Sequence, residues 1–392
     1  MRVSVVVTSR HRPDSLALCL HALSLQTHPA FEVILIADPG SILTRPDLPL
    51  RRVVFDVPNI SRARNIGIAR AAGDVVAFID DDAVAEPSWL ARLTAPFADA
   101  RVDAATGFTR GPDGIGWQVR AERISRDGRA ATLPAPQETQ LFPALEQIST
   151  IGTNCAFRRA ALVQVGGFDP DFAFHLDESD VNMRLAAVRP DGLTAVVPGA
   201  EVTHGLAASA RRDRVPTDLY DIGRSHAIFA RKHGGGDDWV AAAQRKRLIR
   251  AMLSGALDPF GIAPLLKRLD QGRRAGAVTA IKPPMRQFPP APDFRPMPRR
   301  QHDHHLLSGW QWQAQALRAQ AAALVAQGNV VTLILFSPSF LPARSMLTQG
   351  GWWEWRGGLW GADGPGEPPL RLTRKAAQAA RIARHISAVR GG

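Results

Sequence analysis

Short β-branched runs alternate with helical repeats through the first hundred residues. The runs Arg2 to Thr8, Phe31 to Ala37 and Val75 to Ile79 are short and apolar, as expected for buried strands. Pro13 opens a helix, and the apolar residues that recur on one face of it are Leu16, Cys19, Leu20 and Leu23. This alternation predicts an α/β domain whose mostly parallel central sheet is flanked by helices.

Two more helices are predicted from their ends. Ser61 is expected to cap a helix that runs through Ala72, with Gly73 as a left-handed residue after its C-terminus. Pro87 begins a further helix. The inward-facing residues of that helix are predicted to be Trp89, Leu90, Leu93 and Phe97.

The middle of the chain contains a long irregular excursion. Residues 108–147 are rich in Gly, Pro and charged residues and are too long for an ordinary connection. We therefore expect a loop or excursion on the substrate side of the fold. A second compact stretch, residues 150–204, contains Gly152-Thr153-Asn154 and Gly166-Gly167-Phe168-Asp169.

The second half of the chain predicts smaller units. Helical segments are expected near residues 218–232 and 239–252, and the prolines of 282–300 favour an extended linker. The final unit is predicted as a helix over Leu306 to Gln327, a strand over Val330 to Phe336, and an aromatic hairpin near residues 352–360. The expected divisions are a main domain over 1–235, a basic helical extension over 236–282, a Pro-rich linker over 283–300 and a small α+β unit over 301–392.

Charge divides the chain of 392 residues, whose net charge is +12. Residues 1–204 carry net −4 and residues 205–392 carry net +16. The apolar fraction of 45% excludes a wholly disordered chain, and no apolar run approaches the roughly 18 residues of a membrane span. Two cysteines cannot form a disulfide framework, and no secretory pattern opens the chain, so a cytoplasmic protein is expected.

The acidic run Asp80-Asp81-Asp82 follows a predicted buried strand. Two carboxylates about 4 Å apart repel by roughly 4 kcal/mol at an effective dielectric of 20, so a cation is expected among them. Hard oxygen ligands of this kind select Mg²⁺ or Mn²⁺. A solvated acidic turn is the alternative interpretation of the run on its own.

Several motifs in series resemble the inverting glycosyltransferases of family 2, which have the GT-A fold. The resemblance covers about residues 1–235. It rests on Val3 to Arg12, the turn around Asp38, Ser61 to Asn65, Phe78 to Asp82 and Gly166 to Arg184, which occur in the order and spacing of that family. Any one of these motifs alone is weak.

The resemblance implies a nucleotide-sugar site with a metal ion, Mn²⁺ or Mg²⁺. The residues that it implies for nucleotide-sugar binding are Thr8, Ser9, Arg10, Asp38, Arg64, Asn65, Asp80 and Asp81. The implied metal ligands are Asp80, Asp82 and His204, with Asp82 as the main direct ligand. Arg62 and Arg64 cannot both face the site from one helix, and Arg64 is favoured.

The resemblance also implies a catalytic base within Asp177-Glu178-Ser179-Asp180. The family commonly has Glu-Asp-x-Asp there, so the order of the first two carboxylates is inverted in this chain. Glu178 is favoured by position, Asp177 and Asp180 remain open, and Asp180 could instead cap a helix. Asn154 and Asp169 are expected in the sugar or acceptor pocket, with plain turn chemistry as their alternative.

The activity implied is the transfer of one sugar, with inversion, from a nucleoside diphosphate donor to a saccharide or lipid-linked acceptor in surface polysaccharide biosynthesis. Processive synthesis is not expected because the Gln-x-x-Arg-Trp motif is absent. A non-catalytic nucleotide-sugar-binding or scaffold protein is the alternative, since the carboxylate order is altered. A dinucleotide oxidoreductase is disfavoured because "TSRHRPD" lacks the glycines of the dinucleotide fingerprint.

The C-terminal part of the basic half carries six of the nine tryptophans, at positions 310, 312, 352, 353, 355 and 360. One interpretation is peripheral association with an anionic membrane at the cytoplasmic face. The other is the core of a small module with few other large apolar groups. Nucleic acid is not an expected partner, because no zinc, RNP or helix-turn-helix signature occurs.

Overall fold

The computed structural model describes residues 1–205, 217–282, 287–299, 302–364 and 366–390. Within the first 205 residues the strands lie in one large sheet and one small hairpin, with helices on both faces of the large sheet. The elements in chain order are β1 (Val3–Ser9), α1 (Pro13–Ser24), β2 (Phe31–Ala37), β3 (Arg51–Val54), α2 (Ile60–Arg70), β4 (Val75–Asp80), β5 (Ala83–Ala85), α3 (Trp89–Thr94), β6 (Val102–Arg110), β7 (Trp117–Val119), β8 (Glu122–Ile124), β9 (Ala130–Thr132), β10 (Gln140–Pro143), β11 (Cys155–Arg158), α4 (Arg159–Gln164), α5 (Asp177–Val188) and β12 (Leu193–His204).

The large sheet has the strand order β10-β12-β6-β11-β4-β1-β2-β3. Strands β3, β2, β1 and β4 are parallel neighbours, as are β6 and β12, while β11 runs antiparallel between β4 and β6. The two short strands β5 and β7 pair with β12 and β6. The predicted α/β fold, with a mostly parallel central sheet flanked by helices, is confirmed.

Alternating side chains of the parallel strands fill two hydrophobic cores. Val3, Val5 and Val7 of β1 face the core that contains α1 and α3, and Val6 faces the core that contains α2. All four residues predicted for the inner face of α1 are buried, as are all four predicted after Pro87. This packing fixes β1 and β4 side by side, so that their carboxyl ends reach the same edge of the sheet.

Two predicted helix ends are wrong. Asn59 rather than Ser61 caps α2, since its side chain accepts a hydrogen bond from Arg62 N, while the Ser61 hydroxyl donates to Phe172 O. Gly73 is not a left-handed residue. Glycine is needed there because a Cβ would lie 2.6 Å from Ser4 N and 2.7 Å from Val3 C.

The predicted excursion is more ordered than its composition indicates. The end of β6 and the short strands β7 to β10 lie within it, with β8 and β9 forming a separate two-stranded hairpin. β7 returns along β6 and β10 adds to the edge of β12. The excursion therefore extends the sheet beside β12 instead of forming one long loop.

Three helices follow, in the region predicted as basic and helical: α6 (Tyr220–His233), α7 (Asp238–Leu253) and α8 (Ile262–Val278). Residues 287–299 contain neither helix nor strand, as their prolines predict. They lie against β2, where Met297 N donates to Phe31 O and Arg295 N donates to a Glu32 carboxylate oxygen. Residues 283–286 and 300 of the predicted linker fall outside the described residues, and the domain boundaries remain predictions.

The C-terminal unit is a four-stranded sheet with two helices. Its elements are β13 (His304–Trp310), α9 (Ala314–Ala326), β14 (Val330–Ser337), β15 (Arg344–Leu347), β16 (Trp353–Gly358) and α10 (Lys375–Arg390). The helix predicted from Leu306 is wrong in its first five residues, which are part of β13 and pair in parallel with β14. The predicted strand is β14, and β15 and β16 form an antiparallel pair at the predicted aromatic hairpin.

The C-terminal unit packs on the first domain. Trp353, with Val330 and Leu347, buries against Ala22 and Leu25 at the end of α1. The guanidinium of Arg390, the last residue of α10, forms a two-pronged ion pair with Glu86 at 2.6 and 2.8 Å. Trp353 and Trp355 are buried, so the core interpretation is confirmed for these two tryptophans, while Trp312 is exposed.

Among the described residues, no helix combines the length and the apolar character that a bilayer crossing requires.

Gly73→Ala should lower the free energy of unfolding by about 1–3 kcal/mol, because the added methyl group meets the main chain of β1, which cannot move aside. Urea unfolding checks this. The matched control is Gly236→Ala, where nothing lies within 4 Å of the added Cβ. Equal stability of the two variants would contradict the close approach of residue 73 to β1.

Candidate functional site

Three potential metal ligands converge where β4 and β12 end. Asp80 is the last residue of β4, Asp82 lies in the turn before β5, and His204 ends β12 opposite Ala83. One ligand atom from each residue lies within 4.8 Å of the others. His204 Nε2 is 3.3 Å from Asp82 Oδ1 and 3.6 Å from Asp80 Oδ2. The three residues predicted as metal ligands are thus brought together.

Asp82 provides a test of whether this cluster fits a cation. Its side chain is 1% exposed, and neither carboxylate oxygen has a hydrogen-bond partner among the described residues. Arg12 Nη1 lies 3.5 Å from Asp82 Oδ2. A buried carboxylate without hydrogen bonds is costly unless a cation compensates it. The donor set of two carboxylates and an imidazole therefore fits a divalent metal ion.

Gln118 orients the imidazole of His204, and the sequence did not indicate this role. Its side-chain Oε1 lies 3.0 Å from His204 Nδ1. An Nδ1–H that donates to this oxygen leaves Nε2, the nitrogen nearest the carboxylates, able to coordinate a metal. Gln118 lies on β7, inside the stretch whose composition predicted only an irregular excursion. No motif marks it.

Asp81 belongs to the opposite side of the turn. The Ser9 hydroxyl donates to Asp81 Oδ2 at 2.7 Å, and Arg12 Nη1 lies 3.3 Å from Asp81 Oδ1. Burial raises the pKa of Asp81 to about 6, although Arg12 and Ser9 partly oppose that shift. Asp81 therefore links the acidic turn to the end of β1 and is not part of the metal cluster.

A cavity of about 350 Å³ opens beside the acidic turn. Of the residues predicted to bind the nucleotide sugar, Thr8, Ser9, Arg10, Asp80 and Asp81 line it. Its other walls come from the strand edge at Ile36, the segment Phe55 to Ile60 with Ala63, and the pair Ala173 and Phe174. Asp82 and Arg12 also line the cavity, so acidic, basic and apolar side chains meet there.

Asp38, predicted for the same site, is not among the residues that line this cavity. Its carboxylate accepts hydrogen bonds from His11 N at 2.8 Å and Gly40 N at 3.0 Å. Burial opposes ionisation, but these hydrogen bonds hold the pKa of Asp38 below its ordinary value. In this structure Asp38 shapes the loop after β1, and its predicted contact with the nucleoside remains a prediction.

Arg64 is not among the residues that line this cavity, but it joins the two acidic groups of the site. Its guanidinium is 3.5 Å from Asp80 Oδ1 and 2.5 Å from Asp177 Oδ2, and it also pairs with Glu178. The rings of Phe78 and Phe168 lie 5.7 and 5.3 Å from it. Burial opposes its charge, but the three carboxylates raise the pKa of Arg64 above its ordinary value. As expected, Arg64 faces inward and Arg62 is exposed.

The carboxylates at the start of α5 have distinct surroundings. Asp177 is buried beside Arg64, and burial, with a further contribution from Glu178, raises its pKa well above the ordinary value. Asp180 is fully buried and meets Lys232 Nζ at 2.7 Å, Arg184 Nη2 at 2.8 Å and His233 Nε2 at 3.0 Å. Burial opposes its ionisation, but these partners hold the pKa of Asp180 below its ordinary value.

Glu178 is the most accessible of the three, with 16% of its side chain exposed against 4% for Asp177 and none for Asp180. Gly152 makes room for it, because a Cβ at that position would overlap both Glu178 and Arg64. Glu178 is therefore the most exposed of the three, and Asp180 is held by three basic side chains. None of the three carboxylates is among the residues that line the cavity, and the identity of the base remains a prediction.

Three other predicted site residues are engaged by the fold itself. Asn65 exchanges two hydrogen bonds with the main chain of Phe168. The Asn154 side chain accepts from Trp89 Nε1 and donates to Phe108 O and Ala200 O. Asp169 accepts from Lys232 Nζ at 2.6 Å. Here these side chains position strands and loops around the site, and their direct contact with a ligand remains a prediction.

Arg64→Met should lower the free energy of unfolding by about 3–5 kcal/mol, because it leaves Asp80, Asp177 and Glu178 without their shared cation. Removing that cation raises the pKa values of these carboxylates in the folded variant. As pH falls, the folded variant therefore binds protons at a higher pH than the unfolded chain does. The deficit relative to the wild type should therefore shrink as pH falls.

Urea unfolding at several pH values measures this deficit. The control is Arg62→Met two residues earlier, on the exposed face of α2, with an expected change within about 0.5 kcal/mol. A deficit for Arg64→Met no larger than that of the control would contradict the bridging role.

Comparison with known proteins places the first part of this chain in a family. The family model described as glycosyl transferase family 2 matches residues 4–166. A glucosyl-dolichyl phosphate glucuronosyltransferase of Haloferax volcanii is 29% identical over 186 residues, which are 43% of this chain and 56% of that protein. The chain thus spans little more than half the length of this relative.

An N-acetylglucosaminyl-diphospho-decaprenol L-rhamnosyltransferase of Mycobacterium tuberculosis is 26% identical over 249 residues, 55% of this chain and 80% of that protein. Among solved structures, the S. aureus protein TarS covers 64% of this chain with a TM-score of 0.41 at 18% identity, and 43% of its own chain is matched.

The mannosyltransferase PcManGT of Pyrobaculum calidifontis, in complex with GDP-Man and Mn²⁺, covers 83% of this chain and 80% of its own, with a TM-score of 0.40 at 17% identity. The family assignment rests on the sequence match and agrees with the resemblance in the motifs. Residues 4–166 of this chain therefore match the family described as glycosyl transferase family 2.

Proposed function

We propose that this protein transfers a single sugar, with inversion, from a nucleoside diphosphate donor to a hydroxyl group of a saccharide or lipid-linked acceptor. The observation that carries the proposal is the buried Asp82 carboxylate, without hydrogen bonds, in the lining of a cavity beside Asp80 and His204. An acidic cluster of this kind needs a cation. A cation bound there attracts the diphosphate of a ligand in the adjacent cavity.

The ligands proposed for the ion are Asp80, Asp82 and His204, with Mn²⁺ or Mg²⁺ as the expected metal. Such an ion, when bound, neutralises charge on the departing diphosphate. Arg12, which lies within 3.5 Å of both Asp81 and Asp82, is placed to add a second positive charge at the same edge. The cavity walls at Thr8, Ser9 and Phe55 to Ile60 are proposed to hold the nucleoside.

Glu178 is the proposed general base. The acceptor oxygen forms a bond with the anomeric carbon from the face opposite the leaving group, the bond from that carbon to the diphosphate oxygen breaks, and the hydroxyl proton passes to a Glu178 carboxylate oxygen. Arg64, which pairs with Glu178, orients it for this role. General bases of this kind contribute typically about 10²- to 10⁴-fold to the rate.

The acceptor is proposed from chemistry and from the named relatives together. Both curated relatives described above carry a polyprenyl carrier in their names, dolichyl phosphate in one and diphospho-decaprenol in the other. A lipid-linked saccharide is accordingly the favoured acceptor, in a pathway of surface polysaccharide biosynthesis. We place the protein at the cytoplasmic face of a membrane, bound peripherally.

One observation supports the alternative of a non-catalytic nucleotide-sugar-binding protein. The proposed base is engaged in an ion pair with Arg64 and is not among the residues that line the cavity. Donor binding would survive under this alternative, whereas transfer would not occur. Transfer by the wild-type protein, measured together with donor binding, separates the two proposals.

Asp82→Ala should abolish the Mn²⁺-dependent rise in melting temperature that nucleoside diphosphates produce, because it removes a central ligand of the proposed ion. A thermal-shift panel of nucleoside diphosphates with and without Mn²⁺ measures this; ligand at about 100 times its Kd stabilises by about 2.7 kcal/mol. Asp191→Ala, an exposed carboxylate in the turn before β12, is the control and should keep the response. Absence of a shift in the wild type with every nucleotide would overturn the proposal.

Glu178→Gln should reduce transfer by about 10²- to 10⁴-fold while the nucleotide-dependent thermal shift remains. Release of nucleoside diphosphate in the presence of a polyprenyl-linked saccharide measures the transfer. Undiminished transfer by this variant would exclude Glu178 as the base and favour Asp177 or Asp180. Absence of transfer in the wild type, with donor binding intact, would favour the non-catalytic alternative.

A further inference from the structure

The turn between α7 and α8 presents large apolar side chains to solvent. Phe260 is 88% exposed and Leu253 is 77% exposed, and Ile249 lies one helical turn before Leu253 on the same face of α7. We call α7, α8 and the turn between them the basic hairpin. The opposite face of α7 is buried through Val240, Leu248 and Ala251, so the exposed residues are not needed for its packing.

Unpaired cations surround these apolar residues. Arg245, Lys246 and Arg250 on α7 and Lys267 on α8 are exposed, and none has an ion-pair partner among the described residues. Some other cations of the hairpin region are neutralised, as Arg268 is by Asp218 and Arg274 by Asp270. Between residues 245 and 267 the only acidic residue is Asp258. The rim of the exposed apolar surface is therefore strongly positive.

The basic hairpin is held rigidly on the first domain. Gly272 and Gly276 of α8 allow the main chain of α6 to approach closely, since a Cβ at either position would overlap Tyr220 O or Arg224 O. Leu248, Leu265 and Leu269 pack with Ile222 of α6 in one cluster, and Phe174 packs against that cluster. Phe174 also lines the cavity beside the acidic turn, so the hairpin is anchored next to the proposed donor site.

A second surface with exposed apolar residues lies on the C-terminal unit, and several of its cations are paired. Leu372 is 79% exposed, but the neighbouring Arg371 pairs with Glu367, and Arg381 pairs with Asp363 and Glu367. Arg374 and Arg384 of this unit are exposed and have no ion-pair partner among the described residues, so this surface is the competing candidate for an anionic partner. This surface provides an internal comparison.

We infer that the basic hairpin binds the surface of an anionic phospholipid bilayer, with Leu253 and Phe260 entering the acyl boundary and Arg245, Lys246, Arg250 and Lys267 contacting lipid phosphates. The exposed apolar side chains suit the apolar layer of such a surface. The unpaired cations beside them suit its layer of charged headgroups. The inference deepens the proposed function, because it names the surface that brings the donor cavity to a lipid-linked acceptor.

Sedimentation of the full chain with vesicles tests the inference. The chain should bind vesicles made of about equal parts phosphatidylglycerol and phosphatidylcholine, and binding to pure phosphatidylcholine should be much weaker. Leu253→Ser and Phe260→Ser should each reduce partitioning on the order of tenfold. Lys246→Ala and Arg250→Ala should each reduce it about fivefold and weaken its dependence on salt.

Leu43→Ser, at a 69% exposed leucine between β2 and β3, is the matched control and should bind like the wild type. Thermal unfolding of each variant verifies that the fold is retained. Loss of binding in Leu372→Ser with retention in Phe260→Ser would overturn the inference in favour of the C-terminal unit. Failure of the wild type to bind the anionic vesicles would also overturn it.

Vesicle binding requires neither donor nor metal, whereas the nucleotide thermal shift requires no lipid. A protein that binds nucleotide but not vesicles contradicts only the membrane inference. A protein that binds vesicles but no nucleotide contradicts only the proposed function.

Discussion

The structure concentrates negative charge at one edge of its sheet, and the burial of Arg64 within that charge is the interaction on which the site depends. Five carboxylates converge there from β4, the following turn and α5, and one guanidinium spans the gap between Asp80 and the Asp177-Glu178 pair. Burial makes each uncompensated charge costly, so the partners hold one another in place. Arg12 and His204 serve the other end of the cluster, where Asp82 is still without a hydrogen bond.

This arrangement is produced by strands and helices that are far apart in sequence. Parallel pairing of β1 with β4 places Ser9 against Asp81, and the pairing of β12 with β5 places His204 against Asp82. The aromatic rings of Phe78 and Phe168 flank the Arg64 guanidinium and exclude water from it. Rigid packing thus orients the charged groups before any ligand binds, which is what a site for a diphosphate leaving group requires.

Much of this was predictable from local pattern. The bounds of β2 were predicted correctly, and those of β1 and β4 to within one residue, because buried strands leave continuous apolar runs. Arg64 was distinguished from Arg62 because residues two apart on a helix cannot face the same way. Features that depend on a distant partner were missed. Gly73 is required by the main chain of β1, and Leu306 to Trp310 is a strand because it pairs with β14.

The residues predicted to bind the ligand fall into two groups, because some of them have partners that are distant in sequence. Thr8, Ser9 and the acidic turn line the cavity. Asn65 and Asn154 instead form hydrogen bonds with main-chain groups of distant strands and loops. The spacing of residues in the sequence does not predict such hydrogen bonds. Gln118, in contrast, contacts His204 because it lies on β7, and no sequence motif predicts this contact.

The central claim is that the charge left at Asp82 is balanced by a divalent ion. An anomalous difference map from crystals grown with Mn²⁺ and a nucleoside diphosphate tests it most directly. The account predicts one strong peak within coordination distance of Asp82 and His204 Nε2, with the diphosphate beside it. A nucleotide in the cavity with no peak there, or a peak bound only by other residues, would contradict it.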